Sequence, residues 1–150
     1  PSLRRQVLAL QEQAWPSDPP TPDDQTDPVH DPALCPMSLL VVEGTTVVAA
    51  LDVLTKSIEH AGLMFRASGL STVVTDAALR GKGHGFTLVT AAREYIASTS
   101  VDVGLFTCDP PLLTFYTRCG WEHLPNCVLI GGTPDDPFPS DALGKVTVGG

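Results

Sequence analysis

The chain has no apolar run approaching the roughly 20 residues that cross a bilayer, so a transmembrane protein is excluded. After Pro1-Ser2-Leu3-Arg4-Arg5 there is no series of charged start, apolar core and cleavage site, so no secretion signal is expected and the expected location is cytoplasmic. Basic residues are scarce: 9 Lys plus Arg stand against 17 Asp plus Glu, a net charge of −8. That is the wrong sign for tracking a phosphate backbone, so nucleic acid is not an expected partner, nor is a membrane. Cys35, Cys108, Cys119 and Cys127 form no C-x-x-C pair and no His-rich spacing. Reduced thiols are therefore expected, with neither a metal site nor a disulfide framework. Charged residues are only 17% of the chain and apolar ones 43%, which excludes a solvated tail. Its 150 residues fit a single domain over 1–150, long enough for one core. No internal repeat is present.

Ser2 is a candidate N-cap, and Leu3, Val7, Leu10 and Ala14 recur at helical spacing, which predicts an amphipathic helix near 3–14. From Pro16 to Pro36 there are seven prolines in 21 residues, with Asp18, Asp23, Asp24, Asp27 and Asp31 among them. Missing donors and repelling carboxylates make 16–36 an extended loop. Ser38–Val42 and Thr45–Leu54 read as strands around a Glu43-Gly44 turn. Glu59-His60-Ala61-Gly62 is a second turn, leading into a long strand from Leu63 to Thr75. Gly69 within it marks either weak packing or a bulge. Leu88, Ala92, Tyr95 and Ile96 make the apolar stripe of a second helix after Gly85. Val101–Thr107 reads as a strand, Pro110–Cys119 as a short helix stopped by Gly120, and Trp121–Ile130 as another strand. Gly131–Gly144 reads as loop and Lys145–Val148 as a last strand. This order suggests a mixed α/β sheet.

Between Val73-Val74-Thr75 and the second helix lies Arg80-Gly81-Lys82-Gly83-His84-Gly85. Three glycines in five residues let the backbone turn tightly and present N–H groups at a helix N-terminus, where the dipole favours an anion. Arg80 and Lys82 add charge at the same place. The stretch reads as a pyrophosphate cradle. It lacks the G-x-x-x-x-G-K-[ST] spacing of a nucleoside-triphosphate loop, and the strand before it belongs to a meander rather than a βαβ unit.

Those six residues match [QR]-x-x-G-x-[GA], and Phe115-Tyr116-Thr117-Arg118-Cys119-Gly120-Trp121, about thirty residues on, matches F-Y-x-x-x-G-[FW]. In that order the two motifs resemble the GNAT superfamily of N-acetyltransferases, over Met37 to Trp121. The resemblance implies an α/β (α+β) fold: a mixed, mostly antiparallel, twisted sheet with helices on both faces. It would be splayed between the family's fourth and fifth strands, with the family's first strand before Pro1. It implies acetyl-coenzyme A as co-substrate, its pyrophosphate held by residues 81–86 (with Phe86 last) and its pantetheine arm added to the backbone of Val73, Val74 and Thr75. No metal is implied, and a homodimer is allowed.

Acetyl transfer needs a free amine, a nearby electrophile and a donor for the departing thiolate. Tyr116 matches the family's tyrosine acid; the plain alternative is a core tyrosine. Many relatives carry Glu just before the coenzyme contacts, where this chain reads Ser68-Gly69-Leu70-Ser71-Thr72. A water held by Ser71 or by a backbone carbonyl is therefore the expected proton acceptor. Trp121-Glu122-His123-Leu124-Pro125 and Thr133-Pro134-Asp135-Asp136 look like the aminoglycoside 2'-N-acetyltransferase branch, in which Asp136 and Thr107 would meet the acceptor, and nodulation-type N-acyltransferases share a similar C-terminal outline. A solvated turn is the other reading of Asp135 and Asp136. The expected partner is a small, cationic amine, aminoglycoside-like or polyamine, steered by the acidic loops Asp18–Asp31 and Asp135–Asp141. A coenzyme-binding sensor without catalysis is the alternative function.

Overall fold

A computed structural model describes residues 2–17, 29–133 and 135–150. Most of the acidic segment 18–31, with Asp18, Asp23, Asp24 and Asp27, and Pro134 of the T-P-D-D segment lie outside the described residues.

Helix α1 runs over Leu3–Ala14, and the Ser2 side chain accepts from the Arg5 N–H, as its N-cap position predicts. Strands β1 (Met37–Glu43), β2 (Thr46–His60) and β3 (Leu63–Thr75) form an antiparallel meander. β2 is longer than the sequence suggests, because Ala61 (φ 52°) and Gly62 (φ 79°) alone close a two-residue turn. Helix α2 (His84–Ala97) leads to β4 (Val103–Cys108). The predicted helix 110–119 divides into a 3₁₀ turn, Pro110–Leu112, and helix α3, Leu113–Arg118. The predicted strand 121–130 is broken: β5 covers only Glu122–His123, and a turn closed by Cys127 N–H on the Leu124 carbonyl, with Pro125 inside it, follows. The predicted loop 131–144 instead contains a hairpin of β6 (Ile130–Thr133) and β7 (Asp136–Pro139). β8 spans Val146–Gly149.

The main sheet has the order β1-β2-β3-β4-β8-β5, antiparallel except for β3 beside β4. Helices cover both faces, as the resemblance implies. α1 packs Leu10 against Val47, Ala50 and Val74 on one face. α2 buries Leu88, Val89, Ala92 and Ile96 against Leu51, Val53, Leu70 and Phe106 on the other. The Gln6 side chain pins α1 to β2, accepting from Val47 N–H at 2.8 Å and donating to Thr45 O at 2.9 Å.

Only Ala67↔Val103 and Ser68↔Gly104 pair between β3 and β4, so the sheet parts beyond them, at the family's fourth and fifth strands. The bulge is not at Gly69. Between Ala50↔Val74 and Asp52↔Ser71, β3 carries one residue more than β2, and Thr72 there has a left-handed φ of 51°. Gly69 serves closeness instead, since a Cβ on it would lie 2.3 Å from the Leu105 carbonyl oxygen.

Candidate active site

After β3, the Asp76 side chain accepts from Ala78 N–H and caps a 3₁₀ turn over Ala77–Leu79. Gly81 (φ 82°) and Gly83 (φ 84°) then turn the chain through left-handed conformations that side chains adopt only under strain. Space is not the reason for glycine here, because nothing lies within 4 Å of a Cβ at either position. Gly83 is the N-cap of α2 and offers no side chain to the first turn. The first N–H groups of α2 have no partner within the helix, and its dipole adds to their positive potential.

These N–H groups border a recess of about 970 Å³. Arg80, Gly81, Gly83, His84, Gly85 and Phe86 line it beside Val73, Val74 and Thr75. Lys82 is exposed and is not among its lining residues. The second cation is Arg118 of α3, which the sequence reading did not single out. His84 Nε2 lies 3.3 Å from Glu43 Oε1 on β1 and is buried without a hydrogen-bond partner among the described residues. A diphosphate suits this combination of backbone donors, helix terminus and two guanidiniums. Past Gly69, β3 also has an edge that β4 no longer pairs, which suits an amide-bearing arm. The residues present therefore fit coenzyme A.

A second hollow, of about 550 Å³, opens where β3 and β4 diverge. Ser71, Thr72 and Thr107 line it, as do Lys56, Asp109 and Lys145. The facing pairs Leu54↔Gly69, Lys56↔Ala67 and Asp52↔Ser71 put Lys56 and Ser71 on the face that carries α1. Trp15, Val73, Leu112 and Tyr116 border both hollows, so the two meet at the tyrosine. Asp136 is not brought there: it is exposed at the start of β7, paired with Thr133, and is not among the lining residues. Asp109 is ion-paired with Lys145, which leaves the charged lining of this hollow basic on balance.

Tyr116 is buried on α3. Its ring meets Phe106 edge-on at 5.0 Å and Phe115 at 5.2 Å between centroids. Burial first, and then the neighbouring Cys108 and Cys119, push its pKa up to about 12. The phenol thus keeps its proton at neutral pH and can donate it. Burial is also the main reason that Cys108 and Cys119 lie above the usual thiol range, which keeps both protonated and poorly nucleophilic.

One cluster escaped the sequence reading. Asp52 on β2 is 5% exposed, and its carboxylate accepts hydrogen bonds from Ser38 Oγ at 2.6 Å and Thr72 Oγ1 at 2.6 Å. His30 Nε2 lies 3.0 Å from the same carboxylate. The available signal was a single acid inside the apolar run Val47–Leu54, since a buried carboxylate requires partners.

No family model matches the sequence, and no curated protein matches it. Solved structures do. A putative acetyltransferase from Agrobacterium tumefaciens is 24% identical over 85% of this chain and 92% of its own, with a TM-score of 0.66. An aminoglycoside 6'-N-acetyltransferase complexed with coenzyme A is 14% identical over 100% and 91%, with a TM-score of 0.66. Glucosamine-6-phosphate N-acetyltransferase from Arabidopsis thaliana is 19% identical over 89% and 91%, with a TM-score of 0.65. The fold is that of the N-acetyltransferases. Among these GNAT-fold neighbours the aminoglycoside enzyme is a 6'-acetyltransferase, so the likeness does not single out the 2' branch. No helix among the described residues is long and apolar enough to cross a membrane.

Proposed function

We propose that this chain is an acetyl-coenzyme A-dependent N-acetyltransferase that acetylates a primary amine of a small acceptor by direct attack in a ternary complex. The observation that carries this reading is the meeting of two hollows at one buried, protonated tyrosine. Acetyl-coenzyme A supplies an activated acyl carbon with a thiol leaving group. The α2 N-terminus with Arg80 and Arg118 holds the diphosphate, and the β3 backbone at Val73 and Thr75 holds the arm. From the other hollow the amine reaches the acyl carbon, giving up its proton to water at Ser71. Tyr116 donates to the departing sulfur. Because its pKa is raised, this donation becomes a full transfer only as negative charge develops on sulfur.

The net charge of −8 supports a cationic acceptor such as an aminoglycoside or polyamine, gathered from a distance. A second reading has its own observation. Lys56 and Lys145 against Asp109 in the acceptor hollow favour an amine that also carries an anionic group.

A thiol-release assay with acetyl-coenzyme A tests all of this at once. The acceptors are kanamycin and spermidine as polycations, glucosamine 6-phosphate as an anionic amine, and phenylethylamine as a neutral-bodied one. Release with any of them supports the enzyme, and the preferred member assigns the acceptor charge. Coenzyme binding by calorimetry with no release from a wider amine panel would make the domain a non-catalytic sensor.

A further inference from the structure

Asp52 is set directly opposite Ser71 in the β2–β3 ladder, on the face that carries the acceptor hollow. Facing residues in such a ladder hold their Cβ atoms about 5 Å apart. The carboxylate therefore lies on the strand adjacent to that of Ser71. Its connection to the hollow is Thr72, which lines that hollow and donates its hydroxyl to Asp52 Oδ2 at 2.6 Å. Thr72 is held for this in a left-handed bulge conformation that a β-branched residue rarely adopts. Behind the carboxylate, His30 Nε2 approaches both Asp52 Oδ2, at 3.0 Å, and Thr72 Oγ1, at 3.4 Å. His30 and Asp52 also line a separate recess of about 390 Å³ beside α1, where the other charged side chain is Arg4. A buried acid thus has a hydroxyl contact toward the reaction cleft and an imidazole contact toward another opening.

From this geometry we infer that Asp52, backed by His30, is the terminal acceptor of the amine proton, reached from the cleft through the Thr72 hydroxyl. The inference rests on the acetyltransferase reading. The ammonium first gives one proton to water at Ser71, which passes it to Thr72 Oγ1 as the threonine's own proton moves to Asp52 Oδ2. The neutral amine then forms the C–N bond and the C–S bond breaks. Tyr116 protonates the sulfur, and the second nitrogen proton leaves through water and restores the phenol. Asp52 returns its proton to solvent by way of His30, so one proton is released for each amide formed. Asp52 acts here through Thr72, as a positioned acceptor, and does not touch the substrate.

The test uses the whole chain, acetyl-coenzyme A and whichever panel amine the wild type turns over fastest. Thr72→Val removes the hydroxyl and keeps the β-branched shape, whereas Thr72→Ser restores it. The expected result is a kcat about 10²-fold lower at pH 7 for Thr72→Val and Asp52→Asn, climbing toward wild type as pH approaches the amine's own pKa. Thr72→Ser should stay within a few-fold of wild type, and coenzyme affinity by calorimetry should be unchanged in all three. If Asp52→Asn fails to fold, the threonine pair decides alone. Equal kcat and pH profiles for Thr72→Val and wild type would overturn the relay while leaving the enzyme reading intact. A wild type that releases no thiol with any amine would overturn both.

Discussion

Gly69 and Leu105 touch at the point where the sheet parts: a methyl group on the glycine would sit 2.3 Å from the leucine carbonyl oxygen and 3.0 Å from Phe106 Cβ. The short parallel ladder of Ala67 and Ser68 with Val103 and Gly104 ends one residue earlier. The divergence therefore begins from a backbone contact that tolerates no side chain. From it open the acceptor hollow and the free edge of β3.

Gly69→Ala should consequently destabilise the fold. The obstacle is main chain, which cannot rotate away, so β4 must move. A loss of about 1–3 kcal/mol is expected from such overpacking, read as a lower urea midpoint with an unchanged slope. Coenzyme affinity should fall with it, because the same displacement shifts the edge at Val73.

The tight turn that leads into α2 was legible in the sequence because glycine spacing encodes backbone conformation directly, whereas Lys82 does not line the recess and Arg118 was not singled out. Gly81 and Gly83 adopt the left-handed conformations that their spacing suggests, and α1, β3 and α2 lie close to where periodicity sets them. Of the acceptor half, Ser71 and Thr107 were named from the sequence and line the hollow, whereas the cluster around Asp52 was not legible. Asp52 lies 20 residues from Thr72 and 22 from His30 in the chain, and only the register of β2 on β3 joins them. The bulge at Thr72 likewise had no local sign, since a threonine in an apolar run reads as ordinary strand. The 130–139 hairpin was hidden by glycine and proline residues that normally mark loops.

Substitutions at Gly83 separate conformation from charge. Gly83→Ala meets open space but must hold φ near 84°, at a cost of about 1 kcal/mol, and should lower coenzyme affinity only a few-fold. Gly83→Glu adds a carboxylate at the anion-favouring helix terminus and should abolish binding. Calorimetry with acetyl-coenzyme A distinguishes the two, and circular dichroism checks that both variants fold.

Tyr116→Phe keeps the aromatic packing with Phe106 and Phe115 and removes the proton donor. Turnover should fall roughly 10- to 10⁴-fold with coenzyme affinity nearly unchanged. The raised pKa also sets a stability window. The folded phenol ionises near 12 and the unfolded one near the usual 10. Stability should therefore be undiminished by this group below about pH 10 and should fall as pH rises from about 10 to 12. A Tyr95→Phe background leaves Tyr116 as the sole tyrosine, so tyrosinate absorbance measured on the folded protein follows it alone.

The charge of the acceptor is decided by two substitutions with opposite expectations. Asp136 lies on the exposed β6–β7 hairpin, and Lys56 lines the acceptor hollow. If a polycation is gathered by the acidic surface, Asp136→Asn removes one charge of that field without a direct contact to the acceptor and should raise KM for spermidine by no more than about twofold, with little change for phenylethylamine. If the hollow selects an anionic group, Lys56→Ala should raise KM for glucosamine 6-phosphate instead. The rise should be at most about fivefold, because an exposed ion pair contributes only about 1 kcal/mol. Added salt should separate the two further. Long-range gathering by a net charge of −8 fades within a Debye length of about 8 Å at physiological salt, so the spermidine KM should climb steeply with ionic strength. Contact with Lys56 acts at short range and should depend on salt less steeply than gathering by the whole charge, though its exposure leaves it partly screened. A salt-insensitive KM for spermidine, together with a Lys56→Ala penalty confined to the phosphorylated sugar, would assign recognition to the hollow and leave the acidic segments as solubilising surface.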